Sequence, residues 1–490
     1  MKKYILLFVF LSALGAIYLI FPIKNIDGFV SIEDQKFKVN DTVFYPIALN
    51  FITSAQTDGE SFWVSSYKGY NPNSKFVYKN KTDAHKQLQT DMDLIKEMGF
   101  NTVRIVGAGE AFIDEKKEGA LSLSAYNSDS EDTLISLYSD EVIENYLNSI
   151  EELLTIIDKS GLKAIFLLRI RPEYLTTEHL LKRFCIRFKG NTSILAIDIY
   201  NEPLYFDKPE KQKDEVFNIV NRWREIIKMY APNHLVTIGL EGIREVFRWD
   251  PNIINVDFIS YHPYEYEPEQ VRNEIAWYGK YTEKPWIIGE TAIPADNDSI
   301  TYEEQRLFAK KTLDETFNYG GIGYSWWQYK DVDWHKYHAN FMGLLTWNGK
   351  TTNSKGETTF GEIKSTANVF KGYIINIDSS KQNFLPNYYN YSENSSFQLI
   401  GKIVDNQSQP IEGAVILAWN ENWTHSYHTI TKKDGSFSLL GSYPFYHWMA
   451  SATRHTTVRG ELNPENAELI NSLPTLNLEE LQVLPLTFLE

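Results

Sequence analysis

The feature that most constrains this chain is a repeated switch of hydrophobic period. Between about Val43 and Asp331, short runs rich in β-branched and aromatic residues alternate with stretches whose apolar residues recur at helical spacing. The runs fall at 44–51, 101–107, 162–169, 194–203, 235–242, 256–264, 285–292 and 321–331. They are apolar at nearly every position rather than every second one, which predicts strands buried on both faces. Helical patterns fall at 84–98, 141–159, 178–188, 211–229, 267–281 and 302–318, and 362–371 predicts a last helix. Strands of this kind separated by amphipathic helices imply a parallel sheet covered by helices. Eight of them predict an α/β fold, a closed (β/α)8 TIM barrel, over residues 25–377. The long segments after the first two strands, 52–82 and 108–140, would then lie on the rim where the strand C-termini converge.

The pattern stops after Ile377. Residues 378–396 are polar and aperiodic and predict a linker. From 397 to 490, short alternating strands with turn signals predict a small all-β, Ig-like sandwich, in which Lys433-Asp434-Gly435 marks a hairpin-type turn. At the other end, Met1-Lys2-Lys3 precedes an uncharged run from Tyr4 to Phe21. That run would span about 27 Å as a helix at ~1.5 Å per residue, close to the thickness of a bilayer core. It predicts a signal peptide or an uncleaved membrane anchor over 1–24, with the body exported and membrane attachment through residues 4–21.

Composition narrows the chemistry. The chain has 48 Lys and Arg against 64 Asp and Glu, a net charge of −16, so it has no electrostatic reason to bind nucleic acid. A single cysteine, Cys185, excludes an internal disulfide and a cysteine-rich metal site. No glycine-rich phosphate cradle follows a strand, so no nucleotide cofactor is expected. His335 and His338 have the i, i+3 spacing of a metal pair but no third ligand, and Asp296 and Asp298 lack the glycine and distal Glu of a calcium loop. Neither metal nor organic cofactor is expected.

Four polar signals end four different predicted strands: Tyr200-Asn201-Glu202-Pro203, His262-Pro263-Tyr264, Gly289-Glu290-Thr291 and Ser325-Trp326-Trp327-Gln328. In a barrel these ends meet around one mouth, so Glu202 and Glu290 can face each other despite their separation in sequence. Two carboxyl groups across a bond are what glycosidic cleavage needs: one protonated to load the leaving oxygen, one ionised to attack or stabilise the sugar cation. Asn201 could hydrogen-bond the hydroxyl beside the reacting carbon, His262 and Tyr264 could orient the nucleophile, and a rim tryptophan offers a flat face for a sugar ring.

This succession of NEP, HPY, GE and WW resembles the glycoside hydrolase clan A barrels, in particular the cellulase and β-mannanase group of family 5. The resemblance covers roughly residues 40–375. It implies Glu202 as acid/base, Glu290 as nucleophile and retention of anomeric configuration. It also implies that Arg104 on strand two reaches the nucleophile carboxylate, and that Trp327 stacks on substrate while Trp326 points into the barrel–helix layer. Where many members carry a His near the end of strand three, this chain has Arg169-Ile170-Arg171-Pro172. The segments GKIVD, Pro410–Ala414 and Asp434–Phe437 resemble the carboxypeptidase regulatory-like sandwich, which implies a spacer or docking module. The expected function is a retaining β-glycoside hydrolase acting on a β-linked polysaccharide or oligosaccharide. A transglycosylase and a non-catalytic surface glycan-binding protein are the alternatives, the latter disfavoured by the presence of both carboxylates.

Overall fold

The computed structural model describes residues 27–57, 61–71, 78–108, 112–113, 121–126, 132–136, 140–170, 175–206, 210–264, 268–334, 337–378, 380, 396–462 and 469–481. The apolar leader, His335 and nearly all of the predicted linker lie outside these residues. Among the described residues no helix is long and apolar enough to cross a membrane.

Eight parallel strands form the barrel: Ile47–Thr57, Thr102–Val106, Lys163–Leu167, Ile194–Asn201, Leu235–Leu240, Phe258–Tyr261, Trp286–Ile288 and Tyr324–Trp326. Each pairs with the next, and the eighth closes on the first through Tyr324↔Ile47, Ser325↔Ala48 and Trp326↔Leu49. Their apolar residues are buried on both faces, as the unbroken hydrophobic runs require. Helices Lys81–Glu97, Asp140–Lys159, Leu175–Phe188, Lys213–Tyr230, Pro268–Tyr281 and Tyr302–Asn318 cover the ring. Their starts are chemically marked. Asn80 accepts the Asp83 N–H, and Thr301 and Glu304 form a reciprocal capping box. Asp296 Oδ1 accepts the N–H groups of Asp298, Ser299 and Ile300, so that carboxylate serves a turn.

Three features differ from the sequence reading. The last predicted helix is only a 3-10 turn, Ser365–Val369. Lys364 just before it is buried and donates to Asp331, Ala295 O and Phe341 O, which ties the segment inward instead of letting it run along the surface. The described residues of the two rim insertions include strands. The first barrel strand runs on to Thr57 and folds back as Phe62–Ser66. The second insertion adds Phe112–Ile113, Leu121–Tyr126 and Asp132–Ser136, joined to the first strand at Ala55↔Ala125. Finally, an unpredicted meander of Val30–Glu33, Lys36–Val39 and Thr42–Val43 packs Val30 and Phe37 against Ile165, Leu195, Leu235, Phe258, Ile287 and Ile322 at the strand starts. It plugs the base of the barrel.

The C-terminal unit has two sheets. In one, Phe397–Asp405 pairs with Ser436–Gly441, Ile470–Ser472 and Leu476–Leu478; the other orders Ser426–Ile430, Val415–Trp419, His447–Ser451 and Val458–Glu461. Gly435, at φ +78°, closes the turn through its N–H to Lys432 O, but the flanking strands enter opposite sheets. The expected hairpin is therefore a crossover. In the second sheet Ile416, Ala418 and Ala450 face the sandwich core, whereas Val415, Leu417 and Met449 join the hydrophobic cluster of the barrel. Trp277 Nε1 donates to Gly413 O at 2.9 Å, and Lys213 Nζ donates to Asp250 at 2.8 Å and to Ala452 O at 2.9 Å. A spacer would make no such seam.

Candidate active site

The site assembles at the C-terminal ends of the strands. Arg104 on the second strand is fully buried, and its guanidinium is shared among four groups. Nε donates to Asp198 at 2.8 Å, Nη1 to Asn50 at 3.1 Å and to Glu290, and Nη2 to Asn201 at 2.7 Å. A buried cation needs this many acceptors, because each unmatched charge in the interior costs several kcal/mol. The sequence reading gave Arg104 to Glu290 alone; the structure makes it the hub of strands one, two, four and seven.

Glu202 follows the fourth strand in a left-handed conformation at φ +46°, an unfavourable setting for a non-glycine residue. Its N–H donates to Gly239 O at 2.8 Å, and Pro203 starts a single helical turn through Phe206. Glu290 lies two residues beyond the end of the seventh strand. The two carboxyl groups and His262 each bring one oxygen or nitrogen to within 4.8 Å of the others. His262 Nδ1 lies 3.1 Å from Glu202 Oε1 and 3.6 Å from Glu290 Oε1. Tyr264 donates its hydroxyl to Glu290 Oε2 at 3.1 Å. His262 and Tyr264, both expected on the nucleophile, are thus divided between the two carboxyl groups. The ring of His262 fits because Gly239 and Gly289 lie against it: a Cβ at Gly239 would fall 2.5 Å from Cε1, and one at Gly289 2.8 Å from Nε2.

Burial pushes the Glu202 carboxyl up to about 7, with the Glu241 charge adding to the effect and Arg104, Arg169 and Arg244 opposing it. Burial also raises Glu290, but the Arg104 guanidinium and the Tyr264 hydroxyl oppose it. Both carboxyl groups are thus held above the usual carboxylate range, and Glu202, at about 7, can carry a proton near neutral pH. Desolvation drives His262 down to about 3, so its imidazole is neutral. The same triad of Glu202, His262 and Glu290 has the composition of a metal site. The Arg104 guanidinium on Glu290 holds a positive charge where a cation would need none, so the donor set suits carboxyl chemistry better.

Trp326 is buried, donates Nε1 to Met342 O and packs on Phe308 and Phe370, in the barrel–helix layer. Trp327 is half-buried beside Trp334 at 6.4 Å, and the Trp327–Gln328 peptide is cis. Arg171 lies outside the described residues, while Arg169 adopts φ +46°. Sequence reasoning missed Asn50, Asp198, Glu241 and Glu245. Asn50 donates to Gly289 O, Ser325 Oγ and Trp326 O, tying the first strand to the seventh and eighth. A buried polar residue in an apolar strand run was the available signal for Asn50 and for Asp198.

A closed parallel barrel carrying paired, buried carboxyl groups where its strands end defines a class built for bond cleavage assisted by two acidic side chains. The profile of Cellulase (glycosyl hydrolase family 5) matches residues 57–333, more than half of the chain, and the protein belongs to that family. No curated protein sequence matches it. Among solved structures, a β-D-glucuronidase from Dictyoglomus thermophilum is 15% identical at a TM-score of 0.44, over 70% of this chain and 53% of that one. An exo-β-1,4-mannosidase from Opitutaceae bacterium strain TAV5 is 15% identical at 0.48, over 70% and 61%. A GH5_18 protein from Streptomyces cattleya, in complex with GlcNAc, is 13% identical at 0.45, over 74% and 85%. The chain thus spans between half and two thirds of the length of the first two.

Proposed function

We propose that the protein is a retaining β-glycoside hydrolase that cleaves a β-linked polysaccharide or oligosaccharide. The observation that carries this reading is the approach of the Glu202 and Glu290 carboxyl groups to within 4.8 Å, near the roughly 5–5.5 Å separation that suits a double displacement and shorter than the roughly 6.5–9.5 Å of an inverting pair. Glu290 attacks the anomeric carbon while Glu202 gives its proton to the leaving oxygen. Glu202, now ionised, takes a proton from water, which opens the glycosyl–Glu290 ester and restores both groups. Asn201, its carbonyl oxygen engaged by Arg104, presents its amide nitrogen to the hydroxyl beside the reacting carbon, and Trp327 supplies the stacking face. The C-terminal unit, on this reading, is a carboxypeptidase regulatory-like sandwich. Export and attachment through residues 4–21 complete the proposal and are checked by cell fractionation.

The direct experiment incubates the full chain with 2-deoxy-2-fluoro glycosides that accumulate the intermediate, followed by peptide mass spectrometry. A sugar on the Glu290 peptide, and none after Glu290→Ala, supports the reading. Hydrolysis with inversion, or a label elsewhere, overturns it.

A further inference from the structure

The loop after the fifth strand carries a carboxyl group that the reaction above does not use. Glu245 is completely buried in the 3-10 turn Ile243–Phe247. Its Oε1 accepts two backbone N–H groups, from Leu204 at 3.0 Å and from Glu241 at 3.3 Å. Leu204 stands two residues after Glu202, so one oxygen joins the turn bearing Glu202 to the neighbouring rim loop. The other oxygen, Oε2, is buried with no hydrogen-bond partner among the described residues. Burial, with Glu241 and Glu202 nearby, holds the group well above the usual carboxylate range. A neutral carboxyl explains how it tolerates these acidic neighbours, and an orphaned buried oxygen is otherwise an expensive feature.

The loop is itself firmly held. Gly242 turns at φ +148°, where a Cβ would fall 2.6 Å from Glu274 Oε2. Thr457 of the sandwich donates to Phe247 O at 2.7 Å, and Trp249 stacks on Tyr200 at 5.7 Å with the rings 14° apart. The elbow it grips is the strained one, for Glu202 keeps φ +46° only if its surroundings over-determine it.

We infer that Glu245 is a positioning residue: its Oε1, by accepting the Leu204 and Glu241 N–H groups together, clamps the left-handed elbow that aims Glu202 at the leaving oxygen. The inference rests on the acid/base reading of Glu202. The clamp acts as an acceptor and not as a charge, so the amide should replace it and an apolar isostere should not. The charged and titratable groups that face Glu202 are Glu241, Glu245, Glu290, His262, Arg104, Arg169 and Arg244, and only Glu245 changes in the test.

The experiment uses the full chain as Glu245→Gln and Glu245→Leu, with phenyl and 2,4-dinitrophenyl β-glycosides of the sugar the native enzyme hydrolyses. Glu245→Leu should lower kcat on the phenyl glycoside at least about tenfold, as sub-ångström misplacement of a reacting group does, with KM within about twofold. The dinitrophenyl glycoside, whose leaving group needs no proton, should lose far less in the glycosylation step. Glu245→Gln should restore both. Crystal structures of the two variants read the elbow independently of turnover: Glu202 should leave its left-handed φ in Glu245→Leu and keep it in Glu245→Gln. An unmoved elbow in Glu245→Leu, or equal losses on both glycosides, overturns the clamp. A displaced elbow in Glu245→Leu, with a native chain that hydrolyses no β-glycoside, supports the clamp and overturns the acid/base reading alone.

Discussion

Glu202 is held out of water at φ +46°, with Glu241 and Glu290 close by, and this setting has two consequences of opposite kind. Protonated below about 7, it should make kcat/KM fall as pH rises through that value, while protonation of Glu290 sets the acidic limb. The same shift acts on stability. A carboxyl whose pKa is raised on folding contributes stability that is complete below its unfolded value, near 4.5, and is lost as pH rises through about 7. Glu202→Gln should therefore melt a few degrees above the native protein at pH 8 and much closer to it at pH 4, by differential scanning calorimetry, while losing about 10²–10⁴-fold in turnover. Equal melting temperatures at pH 8 would contradict the desolvated setting. Both carboxyl groups were legible in the sequence because each closes an apolar run. Glu245 was not, because nothing in Glu-Gly-Ile-Arg-Glu-Val-Phe distinguishes a buried acceptor from a solvated charge until the loop is folded over Leu204.

Among the elements, the strands were read correctly where burial on both faces left no polar alternation, and their ends moved by a few residues. The long helices followed from their apolar spacing. The missed elements are the short ones. The meander strands hold four residues or fewer and carry polar partners such as Lys38 with Glu33 at 2.8 Å, so periodicity had nothing to count. The segment at 362–371 misled because Lys364 is buried, a placement that the pattern alone assigns to solvent. Helix starts give a direct check. Thr301 Oγ1 accepts from Glu304 N–H at 3.1 Å, and the Thr301 N–H donates to Glu304 Oε2 at 2.7 Å, so Thr301→Ala should cost ~1 kcal/mol in urea denaturation. Gly239→Ala tests the close approach at the site: with its Cβ 2.5 Å from His262 Cε1, it should displace the ring and lower activity far more than it lowers the melting temperature.

For the whole molecule, the joint between barrel and sandwich matters most. Asp250 is buried and accepts from Lys213 Nζ at 2.8 Å and from the Arg454 N–H at 2.7 Å, so one carboxylate serves a barrel helix and the sandwich backbone. Asp250→Ala leaves Lys213 buried without its counter-charge and should cost about 3–5 kcal/mol. Unfolding of the native chain should show one transition, with barrel and sandwich fluorescence changing together; two separated transitions would mean that the seam carries little energy. The central strands of the second sheet are buried on both faces, since Leu417 and Met449 cover the barrel while Ile416 and Ala450 fill the sandwich interior. Such a unit is not a portable accessory. Cut away, it would carry a greasy scar and leave its counterpart on the enzyme, so fusions that transplant it to another host should precipitate unless that scar is first rewritten with polar residues.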